Sequence, residues 1–172
     1  MFESVLDQAS GLRRLFKPRM LRVLPVVADP RPCDSAVFAL NLATALARTG
    51  SQPIVLDAHR QGVSALYGLG SRFELDDLVE GRCGVAQALR RSADGVAVLS
   101  AHKGLPAMAL DPHAAEAVFS AVASLNGAFD VALIHAPADL LGALLADQDV
   151  ETALLCGPEE SDLTDTYGQL KV

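Results

Sequence analysis

Along the chain, apolar runs of strand length alternate with stretches whose apolar positions recur at three and four. The pattern is clearest from Arg22 to Gly50 (RVLPVVADPRPCDSAVFALNLATALARTG). It predicts a buried strand, a tight loop and an amphipathic helix from Ala36 to Arg48. Val37, Leu40, Leu42, Ala43, Leu46 and Ala47 would make a broad apolar stripe on that helix, and Gly50 suits its C-terminal cap. Pro53–Asp57 reads as a short buried strand ending in an acid. Gln61–Gly70 is turn-rich around a short apolar segment, and Leu75–Glu80 and Val85–Arg91 read as two short helices parted by Gly81 and Gly84. Gly95–Ser100 is a third strand, Pro112–Leu125 a helix, and Phe129–His135 a fourth strand. Ala138–Ala146 is a helix, Glu151–Cys156 a fifth strand, and Ser161–Leu170 the start of another helix. Strands and helices in this alternation predict an α/β fold: a mostly parallel sheet with helices on both faces.

Ahead of the first strand, Phe2, Val5, Leu6, Ala9, Leu12 and Phe16 fall on one helical face, which Lys17-Pro18 ends. Gly11 inside that helix costs about 1 kcal/mol relative to alanine. A helix of some four turns with that defect is marginal alone and orders fully only against a partner or the body of the domain. Three readings stay open: a packed N-terminal helix, a basic helix on anionic lipid, or a docking peptide that lays its apolar face in a partner's groove. The expected division is an N-terminal amphipathic arm at residues 1–20 and an α/β domain at 21–172.

With 172 residues and 51% hydrophobic content, the chain is long enough for one domain with a real core. The net charge of −7 argues against general nucleic-acid binding, which needs a basic face. That charge is uneven: from Leu12 to Arg22 there are five basic residues, Arg13, Arg14, Lys17, Arg19 and Arg22, and no acidic one. Cys33, Cys83 and Cys156 are odd in number and lack CxxC spacing, so neither a disulfide framework nor a zinc site is expected. No secretory signal and no membrane-length apolar run occurs, and a cytoplasmic, soluble chain is the expectation.

Strand–loop–helix is the layout of a phosphate-binding loop, which needs converging N–H groups, a lysine and a hydroxyl for magnesium. No glycine or lysine lies between Val23 and Arg48. Pro30 and Pro32 lack an N–H, and Arg31 and Cys33 supply neither a small residue nor a lysine. Asp34 puts a carboxylate where the phosphate would sit, and Asp34 or Ser35 is placed to cap the helix. The expectation is that the protein's own side chain fills the anion site. Ligands in such sheets bind at the carboxyl ends of the strands. There His59 and His135 are the candidates for chemistry, but spacing forces no partner on either, and no catalytic set emerges.

The order of segments resembles the MinD/ParA class of deviant-Walker P-loop ATPases from Arg22 to Val172. Counting back from Asn41-Leu42-Ala43, Pro30 stands at the family's signature lysine, Ser35 at its P-loop lysine and Ala36 at its magnesium-binding threonine. Asp57-Ala58-His59 resembles the family's DAD motif with the second acid replaced. Phe129–Asp139 (FDVALIHAPAD) is similar to its Walker-B strand, with His135 in the acid's place, and Gly157-Pro158-Glu159 through Tyr167-Gly168 resembles its adenine-side loop. The resemblance implies a P-loop architecture whose nucleotide chemistry is gone. No cofactor is expected, ATP and magnesium only if the degenerate loop still binds them.

Asp7-Gln8-Ala9-Ser10-Gly11-Leu12-Arg13 matches DQAxxLR, which marks the flagellar-number regulators FlhG (FleN, YlxH) within the MinD group. Leu78-Val79-Glu80-Gly81, followed by Cys83 and Leu89, is similar to that family's VIEGEC stretch. The resemblance implies a regulator that stimulates the SRP-type GTPase FlhF through this helix. Gln8 would orient the attacking water, Leu12 would anchor the helix, Arg13 would hold it by charge, and Asp7 and Ala9 would complete the contact. It further implies recruitment to the cell pole by that partner, with other flagellar regulators or C-ring components as further partners. Two rivals stand beside it: an active, membrane-cycling ATPase with an unusual loop, and a MinD-like accessory scaffold of another system.

Overall fold

The computed structural model describes residues 21–28, 32–109, 120–121, 123–125, 127–145, 150–157 and 159–169. The N-terminal arm, and with it Asp7, Gln8, Ala9, Leu12 and Arg13, lies outside the described residues, as do Pro30 and Arg31.

Strand β1 (Arg22–Ala28) leads into helix α1 (Pro32–Arg48), followed by β2 (Pro53–Asp57) and the short helices α2 (Val63–Leu66), α3 (Leu75–Val79) and α4 (Val85–Ala88). Then come β3 (Arg90–Arg91), β4 (Ala97–Ser100), α5 (Gly104–Ala109), β5 (Val131–His135), α6 (Ala138–Leu145), β6 (Ala153–Leu155) and α7 (Glu160–Gln169). The six strands form one sheet in the order β3-β4-β2-β5-β1-β6. Every pairing is parallel except β3 with β4. The mixed, mostly parallel sheet meets the sequence expectation. The antiparallel edge does not: Arg90 and Arg91 were expected at the end of a helix. That helix stops at Ala88, and the two arginines pair with Val98 and Ala97.

Side-chain alternation sorts the strands into two apolar layers. Ile54, Leu56, Ala97, Leu99, Ala132, Ile134 and Val27 face one side, where Leu75, Ala88, Leu105, Leu140, Leu141 and Leu144 cover them. Val26, Val55, Val98 and Leu133 face the other, under α1. Within α1 the buried stripe is Ala36, Ala39, Leu40 and Ala43, the i, i+3, i+4, i+7 set. Val37, expected in that stripe, is 40% exposed, and Ala47 also faces out. Alanines outcompete the larger side chains on this face because they let the helix approach the strands closely. The helix ends as expected: Gly50 adopts a left-handed φ of +90°, Ser51 N–H donates to Leu46 O and Gly50 N–H to Ala47 O. That pair of bonds is a Schellman cap.

The helix begins at Pro32 rather than Ala36, since proline is tolerated in a first turn, where its missing N–H would be unpaired anyway. Helix α5 was not expected, and residues 120–121 and 123–124 are helical within the segment expected to be so.

Candidate functional site

In-register parallel pairing sets Ser100, Asp57 and His135 side by side at the carboxyl ends of β4, β2 and β5. Each lies two residues beyond a buried Val98, Val55 or Leu133, so all three share the face that α1 covers. A polar row therefore caps that apolar layer. Ser35, one turn ahead of the buried Ala39, turns from α1 toward the same row.

Three of these groups form a linear relay. Ser35 Oγ lies 2.7 Å from His135 Nε2, and His135 Nδ1 lies 3.0 Å from Asp57 Oδ1. The other carboxylate oxygen, Oδ2, accepts the Ser64 backbone N–H at 2.6 Å. Burial is complete for His135 and Asp57 and leaves Ser35 1% exposed. Main-chain bonds lock the row in place: Ala58 N–H donates to His135 O and Ala101 N–H to Asp57 O, both at 2.8 Å. Gly62 is required beside it, because a Cβ there would stand 2.1 Å from Asp57 Oδ1.

Burial pushes the Asp57 carboxyl up, but the hydrogen bonds from His135 and the Ser64 amide outweigh it and hold the group below its ordinary value. An ionised Asp57 only accepts, so His135 Nδ1 carries a proton. Nε2 accepts the Ser35 hydroxyl while the ring is neutral and turns donor once it is charged. The His59 ring packs on His135 with centroids 4.4 Å apart and planes tilted by 41°. Burial and the neighbouring His135 hold His59 below its ordinary value, against Asp57, a backbone hydrogen bond at Ala136 and Asp139.

Serine, histidine and aspartate in this order are the parts of an activated nucleophile. The nucleophile is buried, however, with Ser35 only 1% exposed. What the relay does here is bind the first turns of α1 to the sheet edge.

Of the residues singled out in the sequence, Ser35, Asp57, His59 and His135 come together, and Ala36 is fully buried beside them. Asp34, expected to reach into the anion site, is exposed. The helix turn aims Ser35 inward and Asp34 away. Cys33 and Pro32 form the start of α1. His135, expected to lack a forced partner, has two. Spacing could not reveal them, since Ser35 and Asp57 are 100 and 78 residues away in sequence.

A second cluster had no signal in the sequence. Glu74 is 3% exposed and takes an ion pair from Lys103 Nζ, whose ammonium it holds above its ordinary value. His102 Nδ1 stands 3.4 Å from Glu74 Oε2 and 3.0 Å from Ser100 Oγ. It staples the turn after β4 to α3, where a Cβ on Gly104 would meet Asp76 Cβ at 2.5 Å. At the opposite end of the sheet, Arg22, Val23, Leu24, Leu46, Val131, Val150 and Glu151 line a cavity of about 480 Å³. Among the described residues no group of three or more His, Cys, Asp or Glu side chains is set to hold a metal ion, and no helix is long and apolar enough to cross a membrane.

No family profile matches the chain. It is 28% identical over 157 residues to the antiactivator FleN of Pseudomonas aeruginosa, an alignment covering 88% of this chain and 56% of FleN. The chain thus spans little more than half the length of the curated relative it matches. MinD of Pyrococcus horikoshii with Mg-ADP superposes with a TM-score of 0.60 at 24% identity, over 88% of this chain and 65% of that one. MinD in the Aquifex aeolicus MinC:MinD complex gives 0.66 at 19%, over 87% and 62%. Cobyrinic acid a,c-diamide synthase of Mycobacterium smegmatis with ADP and magnesium gives 0.63 at 24%, over 88% and 68%. The chain is thus similar in sequence to FleN (FlhG) and has the fold of the MinD/ParA-type P-loop ATPases.

Proposed function

We propose that the chain is a non-catalytic regulator of flagellar placement and number, which stimulates the SRP-type GTPase FlhF in trans through residues 1–20. In this reading Gln8 approaches the partner's nucleotide, Asp7, Ala9 and Leu12 seat the helix, and Arg13 holds it by charge. Residues 21–172 are the platform that carries it, recruited to the cell pole by the partner. The likeness to FleN supports a flagellar regulator. The MinC:MinD complex supports the use of this fold as a partner-binding platform.

The observation that carries the non-catalytic half is the 2.7 Å contact of Ser35 with His135 at the buried end of β5. Transfer of a phosphoryl group requires a lysine on the phosphates and ligands for magnesium. In the resemblance Ser35, Ala36 and His135 stand at the lysine, threonine and Walker-B positions, and here Ser35 and His135 are buried and bonded to each other. These residues do not fit magnesium-nucleotide, and no step of the proposed function runs through it. The structural neighbours that hold ADP and magnesium favour the rival, an active membrane-cycling ATPase.

Two measurements decide. FlhF is mixed with GTP and the chain, with and without Gln8→Ala. Stimulation by the parent and its loss in the variant is the expected result, and equal rates would remove the FlhF reading. Titration with ATP and magnesium should give no heat and no turnover. Micromolar binding with hydrolysis would establish the ATPase instead.

A further inference from the structure

Three of the four histidines in the sequence, His59, His102 and His135, lie just at or beyond the ends of β2, β4 and β5. Histidine is the side chain whose ordinary charge change falls between about pH 5 and 8. We propose that this edge is a proton-operated latch, in which a proton taken up by His59 frees the first turns of α1 from the sheet. The latch does not depend on the flagellar reading, since it concerns only the contact of α1 with its own sheet.

The geometry supplies both halves of such a device. In the closed state Ser35 Oγ holds α1 to His135 Nε2, and His135 is held in turn by Asp57. His135 can take a proton and keep both bonds, because Nε2 then donates where it had accepted. His59 has no such freedom. It is half-buried, its ring lies on His135 at 4.4 Å, and both Asp57 oxygens are already engaged, one by His135 and the other by the Ser64 amide. A charge on His59 competes with His135 for Asp57. The remaining charged and titratable groups at this end are Arg60 after β2, Asp139 on α6, Asp34 on α1, and His102, Lys103 and Glu74 around β4. Asp57, a backbone hydrogen bond at Ala136 and Asp139 favour a charged His59, yet burial and His135 prevail and the proton is disfavoured.

A site that binds a proton less well closed than open is driven open by acid. Closure is fully favoured above the ordinary histidine value of 6.5 and is lost as pH falls from there through the lower closed-state value. Each tenfold loss of proton affinity on closing shifts the closed-to-open ratio by about tenfold at low pH.

The test is hydrogen exchange of the full chain at about pH 7.5 and about pH 5.5, corrected for the intrinsic amide rates. Peptides from residues 32–40 are compared with peptides from β4. In the parent chain, protection of 32–40 should fall at the lower pH, while β4 is unchanged. His59→Gln should keep its protection at both. Ser35→Ala, which cuts the far end of the relay, should exchange fast at 32–40 already at the higher pH, with no further acid response. An unchanged parent chain, an equal acid response in His59→Gln, a preserved one in Ser35→Ala, or a loss spread evenly over the sheet would each overturn the proposal.

Discussion

Replacing His135 by alanine removes a ring with no exposed surface from between two buried groups. Asp57 then keeps the Ser64 amide on Oδ2 but loses its partner on Oδ1. Stripping a buried carboxylate of its partner costs about 3–5 kcal/mol, since the remaining charge cannot recover its hydration. The Ser35 hydroxyl loses its contact as well, and part of the ring's volume is left empty. A domain of this size has about 5–15 kcal/mol of stability in all, so about a fifth or more should disappear. Because the chain has no tryptophan, the assay is urea unfolding followed by far-ultraviolet circular dichroism. With a slope of about 1–3 kcal/mol per molar urea, the midpoint should fall by at least about 1 M. Adding Asp57→Asn removes the stranded charge, so the double variant should recover part of the loss. The relay as a stabilising unit is refuted if His135→Ala costs less than about 1 kcal/mol, or if Asp57→Asn adds to its cost in full.

Gly62→Ala sets a Cβ 2.1 Å from Asp57 Oδ1 and 2.9 Å from His59 Cβ. Overpacking of this kind costs about 1–3 kcal/mol, and thermal unfolding should register it, whereas Gly84→Ala, with its nearest contact at 3.8 Å, should lower the melting temperature far less. Stability should fall with acid in two windows, because both groups have folded values below their ordinary ones. His59 contributes fully above 6.5 and loses this on acidification; Asp57 does so above 3.8 and loses it below. Melting curves across this range should show the upper step vanish in His59→Gln. Leu133→Ala, at a site with no exposed surface on a central strand, should cost about 2–5 kcal/mol. A smaller loss in urea unfolding would mean that α1 collapses onto the strand.

The period of the apolar positions makes the alternation of strands and helices legible, and Pro53–Asp57 has the same limits in sequence and structure. Helix ends written in backbone chemistry, such as Gly50, are equally legible. Arg90-Arg91 is not: two residues carry no period, and they are a strand only because β4 offers an open edge. Helix α5 is masked by Gly104 and Pro106, which read as breakers although both fall in its first turn. In the candidate site, Ser35 and His135 stand out in the sequence through the resemblance in the order of motifs. Which side chain turns inward cannot. Asp34 and Ser35 are adjacent and both polar, and the 100° step between them on the helix is settled by where Ala39 and Ala43 pack.

The chain's own pattern thus determines a layered α/β fold and a strand–loop–helix opening with no glycine or lysine in its loop, because burial period and proline are local properties of the backbone. The relay of Ser35, His135 and Asp57, the stacked His59 and the buried Glu74 are decided only in three dimensions. Parallel register brings together strand ends that lie far apart along the chain, and close burial then forces each polar group to find its partner among whichever neighbours the register supplies.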